Sequence, residues 1–91
     1  MRAVVLSHSY LEPARRGRLR ALAGLGCELA VGVPDRWPLM PGLLTRPQWE
    51  DDGGMRIVPV SVGGQIEDPD EVRWSRRALR RLLKEFRPDI V

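Results

Sequence analysis

The sequence predicts an α/β fold, a parallel sheet layered between helices. Three observations carry that expectation. Ala3–Ser7 and Cys27–Val33 are short apolar runs of the kind found in strands covered on both faces. The segment between them has helical character, so strand, helix and strand together have the size of one βαβ crossover. A second amphipathic helix ends near Phe86 and leads through Pro88 into Asp89-Ile90-Val91, which reads as the opening of another parallel strand. A natural domain rarely stops at the first residues of a core strand. The sequence therefore predicts that the chain is the front piece of a larger α/β protein, its sheet incomplete.

Taken in order, the first strand leads into a polar loop, His8 to Glu12. Pro13 stands where a helix can begin, since its missing N–H costs nothing there. A helix is expected from about Ala14 to Leu25, with Leu19, Leu22, Ala23 and Leu25 inward and Arg15, Arg16, Arg18 and Arg20 mostly outside. Gly26 suits a left-handed stop. Pro34 ends the second strand. Residues 35–54 hold Pro38, Pro41, Pro47, two tryptophans and the acidic patch Glu50-Asp51-Asp52, and are expected to form a long loop insertion. Trp37, Leu39, Met40, Leu43, Leu44 and Trp49 make it apolar, either as a satellite core on the sheet edge or as a lid or membrane-dipping loop.

Met55–Val62 alternates and is β-branched, a third strand in which Pro59 implies an edge or a bulge. Asp68-Pro69-Asp70-Glu71 would open the second helix, with acidic groups at the positive end of its dipole. That helix is expected over about Asp70 to Phe86. Val72, Leu79, Leu82, Leu83 and Phe86 form its apolar stripe; Arg73, Arg77, Arg80, Lys84 and Arg87 form a basic one.

Composition narrows the function classes. Ninety-one residues allow at most one small domain. The charged fraction of 30% and the hydrophobic fraction of 43% are those of an ordinary soluble protein. The apolar run at the start is too short for a secretory signal. The single cysteine, Cys27, excludes an internal disulfide, fits a reducing cytoplasm and reads as core. One Cys and one His lack metal-ligand spacing, so no metal is expected. The glycines do not form G-x-G-x-x-G, which disfavours dinucleotide binding. The net charge of +3, with fourteen arginines and one lysine, fits either genome composition or a basic surface. The basic stripe, including Arg73, Arg77, Arg80 and Lys84, is either a solvated helix face or a contact surface for anions or anionic lipid, the latter at the inner face of the membrane. Nucleic acid is not expected, because aromatics are not interleaved with the stripe apart from Trp74.

The expected strand order is 3-2-1-4. Ligands of open α/β sheets bind outside the carboxyl ends of the strands, where the order reverses. That places a cleft beside Ser7, His8 and Ser9. His8 has two readings: a cleft residue that hydrogen-bonds an acceptor hydroxyl or acts as a base, or a loop histidine with no chemical role. Ser7 and Ser9 more commonly satisfy turn backbone. Arg15 and Arg16, near helix-start amides, could attract an anion.

Leu6-Ser7-His8-Ser9, Pro13, Gly17, Leu22-Ala23-Gly24-Leu25-Gly26 and Cys27-Glu28-Leu29-Ala30-Val31 together resemble the amino-terminal region of family 4 retaining glycosyltransferases. The closing Phe86-Arg87-Pro88-Asp89-Ile90-Val91 resembles that family's "pDvv" strand. The resemblance implies a Rossmann-like acceptor-side domain of a GT-B enzyme, with a nucleotide sugar as donor substrate and no cofactor. The donor would be bound mainly by a carboxyl-terminal domain outside this chain, which is then an expected partner. The acceptor is not specified, and the piece alone is expected to be inactive. Ser7, His8, Ser9 and Arg16 would line the cleft, with Gly17 as a point of backbone approach. Where the family often has Gly-Gly in its first loop, this chain has Arg16-Gly17. The rival reading is a non-enzymatic α/β module that uses the basic helix for protein, anion or membrane-surface contact. An open edge at Ile90-Val91 further predicts self-association.

Overall fold

The computed structural model describes residues 1–40, 43–45, 48–64 and 72–91. Its core is a mixed α/β arrangement around a four-stranded sheet. Strands β1 (Arg2–Leu6), β2 (Glu28–Pro34), β5 (Glu50–Asp52) and β6 (Met55–Val60) lie in the order β1-β2-β6-β5. β1 pairs β2 and β2 pairs β6 in parallel, while β5 pairs β6 antiparallel. On the other side of β1, Ile90 forms an isolated parallel bridge to Ala3, and Val4 N–H donates to the Ile90 carbonyl at 3.0 Å. The three parallel strands thus stand in the expected order 3-2-1, while at the expected place of the fourth only Ile90 bridges to β1.

Alternation along the strands sends side chains to both faces. On one face Ala3, Leu19, Leu29, Val31, Val33, Met55 and Ile57 form a buried cluster with helix α1 (Gly17–Gly24). On the other, Val4, Ala30, Val58, Val60, Leu82 and Phe86 pack with helix α2 (Arg76–Phe86). This two-sided burial explains why β1 and β2 read as continuous apolar runs rather than alternating ones.

Gly32, at the middle of the sheet, lets the Leu6 side chain lie close over the backbone of β2. A Cβ there would collide with Leu6 Cδ2 and lie 3.3 Å from Val60 Cγ2. Gly32→Val is expected to lower stability by about 3 kcal/mol through overpacking, read as a reduced urea midpoint with an unchanged slope.

Several expectations need correction. The first helix is preceded by a 3₁₀ turn over Pro13–Arg16, so its α-helical part begins only at Gly17. Leu19 is buried as expected, but Leu22 and Leu25 are exposed, because a helix this short turns only one narrow stripe inward. Gly26 does take a left-handed φ of 96°. The second helix begins at Arg76, not near Asp70. Ser75 caps it, its Oγ accepting from Ala78 N–H at 3.2 Å. Val72–Trp74 is a strand, β8, paired antiparallel with β7 (Val62–Gly64). The expected acidic opening at residues 68–71 lies outside the described residues. Leu82 and Phe86 are buried, Leu79 is half-buried, and Leu83 is exposed.

The 35–54 segment contains strands. β3 (Trp37–Met40) pairs antiparallel with β4 (Leu43–Thr45), and β5 forms a hairpin with β6. Gly53 and Gly54 turn that hairpin with φ of 60° and 89°, the two positive angles that a tight two-residue turn demands. Pro41 and Pro47 lie outside the described residues. β5 covers the outer side of the third sheet strand only along its first half, so Pro59 itself stands at the edge position that it suggested. The proline is tolerated because β5 reaches only Met55–Ile57, leaving Pro59 free of a ladder partner on that side.

Candidate functional site

The carboxyl end of β1, the strand that lies between β2 and the bridging Ile90, is built from Ser7 and a 3₁₀ turn over His8–Leu11. Ser7 N–H donates to the Gly32 carbonyl at 3.2 Å, continuing the β1–β2 ladder by one residue. Ser7 Oγ accepts from Ser9 N–H at 3.1 Å and so caps the turn. The hydroxyl keeps its own proton for donation. Ser9 contributes its carbonyl to Glu12 N–H. Ser7 thus satisfies turn backbone with its side chain, as its residue type favours, whereas Ser9 takes part through its main chain.

His8 is half-buried and stacks on Trp37, with ring centroids 4.7 Å apart and planes 16° from parallel. The stack joins the end of β1 to the start of β3 and holds the imidazole in a fixed plane. Nothing local in the sequence links these two residues, which lie on opposite sides of β2.

Two polar atoms are orphaned nearby in sequence, just beyond β2. Asp35 Oδ1 and Arg36 Nε are buried without a hydrogen-bond partner among the described residues. The segment is tied to β6 and β7 by one main-chain and one side-chain bond: Asp35 N–H donates to Val60 O at 2.9 Å, and Arg36 Nη2 to Val62 O at 3.2 Å. The carboxyl ends of β2 and β6 are thereby linked. Buried groups without partners are uncommon in folded proteins and mark places that call for an explanation.

Arg16 has a different setting from an anion-facing cleft residue. Its side chain is only 3% exposed. Nε donates to the Tyr10 carbonyl at 2.6 Å, and Nη1 donates to Glu50 Oε1 at 2.7 Å and Asp52 Oδ2 at 2.9 Å. Arg20 joins the same carboxylate through two bonds, Nε to Oδ1 at 3.0 Å and Nη2 to Oδ2 at 2.9 Å. The two arginines clamp strand β5 to the turn and helix on its face. The Arg20 and Arg16 hydrogen bonds hold the Asp52 carboxyl down at about 2, against an ordinary 3.8. A carboxyl depressed in the folded state contributes stability that is complete above its unfolded value and is lost as pH falls through the folded one. The clamp should therefore weaken as pH drops from about 4 toward 2. Thermal melts across that window should show a loss that Asp52→Asn shows to a smaller extent.

Gly17 opens α1 and is exposed, with no atom within 4 Å of where a Cβ would stand. Space for backbone approach exists there, but no neighbouring group requires glycine. Arg77, Arg80 and Lys84 project from α2 and are exposed. Arg73 is also exposed, but on β8 rather than on the helix, so the four do not form one helical stripe. Among the described residues none of these cations forms an ion pair. Cys27 is half-buried against the α1-side core.

One structural position escaped the sequence reading. Arg2 donates to the Phe86 carbonyl from Nε at 2.9 Å and Nη2 at 2.6 Å, pairs with Glu28, and places its guanidinium 4.4 Å from the Phe86 ring centre. It satisfies a carbonyl at the end of α2 and locks that helix to β1.

Among the described residues no cluster of three or more His, Cys, Asp or Glu could hold a metal ion, and no helix is long and apolar enough to cross a membrane. No family model matches the chain, nor does any curated protein or solved structure.

Proposed function

We propose that this α/β unit is the Rossmann-like, acceptor-side part of a GT-B glycosyltransferase that moves a sugar from a nucleotide-sugar donor to an acceptor hydroxyl. The observation that carries the reading is the placement of β1 between the parallel strand β2 and the parallel bridge from Ile90, the start of a strand-order reversal, with His8 at the carboxyl end of β1. Open α/β sheets bind ligands at that place. The sequence resemblance supplies the reaction class.

In this reading His8 is the group that meets the acceptor. Trp37 fixes the plane of its ring, so a ring nitrogen can accept from an acceptor hydroxyl without first being ordered. Ser7, with a hydroxyl proton to spare, is the second polar group of the cleft wall. Arg16 supports the cleft by holding the turn that carries Tyr10; its charge is already shared with Glu50 and Asp52. The positive groups that stabilise the departing nucleotide phosphate would then come from a second domain, with nucleotide sugar as substrate and no metal required.

The test uses the product of the whole reading frame that encodes this chain. It is incubated with uridine-, guanosine- and thymidine-diphosphate sugars, and release of nucleoside diphosphate is followed. Release from at least one donor is expected. His8→Phe, which keeps an aromatic ring against Trp37, should slow it by about 100-fold or more with little change in melting temperature. No release from any of these donors would overturn the proposal, as would a fully active His8→Phe protein.

A further inference from the structure

Beside α2 lies a cleft of about 420 Å³ that is separate from the end of β1. Its floor is apolar, made by Val58 and Val60 of β6 and by Ala78 and Leu82 of α2, with Trp49 and Pro59 on the sheet side. Arg77, Arg81 and Glu85 line its helix side. These three are spaced four apart, so they form one stripe along the cleft. Ser61 and Ser75 add hydroxyls to its wall. Ser75 Oγ already accepts from Ala78 N–H, which leaves its proton to donate.

We infer that this cleft binds a small organic anion with a flat apolar body. The volume falls in the range of small-molecule sites, which pair an apolar lining with a few polar groups. Trp49 is 63% exposed and offers an aromatic surface at the edge of the cleft. Arg77 and Arg81 are exposed and neither pairs with a described carboxylate, and both line the cleft, where their guanidiniums can address one anionic group. Polarity sets the orientation. Arg77 lies in the first turn of α2, next to its positive dipole end and near Ser75, whereas Glu85 stands in the last turn. The anionic group therefore belongs at the Ser75 end and is repelled from the Glu85 end. Neither an isolated charge nor a neutral apolar molecule uses both parts of the site.

Three probes separate these contributions: 1-naphthyl phosphate, inorganic phosphate and 1-naphthol, each titrated at constant ionic strength and followed by amide chemical shifts. Naphthyl phosphate should bind about tenfold or more tightly than either fragment, with shifts confined to the cleft lining, Trp49, Ser61, Ser75, Arg77, Ala78 and Arg81 among it. Arg77→Gln and Arg81→Gln should each weaken it about tenfold, and Trp49→Ala should also weaken it. Arg76→Gln and Arg80→Gln, exposed on the same helix but not lining the cleft, should leave it unchanged. Equal weakening by Arg76→Gln and Arg80→Gln would mean diffuse attraction to a basic helix and would overturn the inference. So would phosphate alone binding as tightly as naphthyl phosphate, or no binding of naphthyl phosphate to the unmodified chain.

Discussion

Phe86→Ala is expected to be the most damaging single substitution, at about 3–5 kcal/mol. Phe86 is 4% exposed and lies in the cluster that joins α2 to Val4, Ala30, Val58 and Val60. Truncation leaves a cavity beneath the last turn of a helix held to the sheet by few large side chains. It also removes the ring on which the Arg2 guanidinium rests. A chain of this length has little stability to spare, and each kcal/mol moves the melting temperature by about 4–8 °C. The midpoint should fall by at least roughly 12 °C, followed by far-ultraviolet circular dichroism. Phe86→Leu, which refills most of the space, should recover more than half of the loss. A melting temperature within a few degrees of the parent would show that α2 is not anchored there.

Arg16→Met is the second large expected effect, about 3 kcal/mol. Removing the guanidinium deprives the Glu50 carboxylate of its partner and leaves Asp52 with Arg20 alone. It also frees the Tyr10 carbonyl. The cost stays at the lower end for a broken buried pair because Glu50 is half exposed and can recover water. Arg16→Lys should restore only part of the loss, since an ammonium cannot reproduce bonds from both ends of a planar fork. Combining Arg16→Met with Asp52→Asn should cost less than the sum of the two, because each removes part of the same contact. Strict additivity in urea unfolding would show that the clamp contributes nothing as a pair.

These two residues also show what the sequence could and could not reveal. Phe86 was legible: its place in an apolar stripe at helical spacing, just before Arg87 and Pro88, marked it as a core residue at a helix end. Arg16 was not, because four arginines crowd its helix and none is locally distinguishable as the buried one. The choice depends on Glu50 and Asp52, 34 and 36 residues away, which arrive only when the hairpin forms. β5 itself was hidden because three acidic residues carry no apolar alternation. Gly53-Gly54 before Met55 was the available signal for it, a turn sequence next to a clear strand. The start of α2 was misplaced because Val72 and Arg73 extend both helical stripes backward by chance. The Ser75 cap was the better marker. At the candidate site, the position of His8 followed from strand order alone, whereas its Trp37 stack required a hairpin that local pattern did not announce.

The functional reading rests on β1 being an interior strand at which the order reverses. Nuclear Overhauser contacts across β1, with exchange rates for its amides, test this directly. Ala3 should show contacts to Leu29 on one side and Ile90 on the other, and the Val4 amide, donating to the Ile90 carbonyl, should exchange slowly. An Ala3 that contacts Leu29 but not Ile90, with a rapidly exchanging Val4 amide, would make β1 an edge strand and remove the site from its carboxyl end.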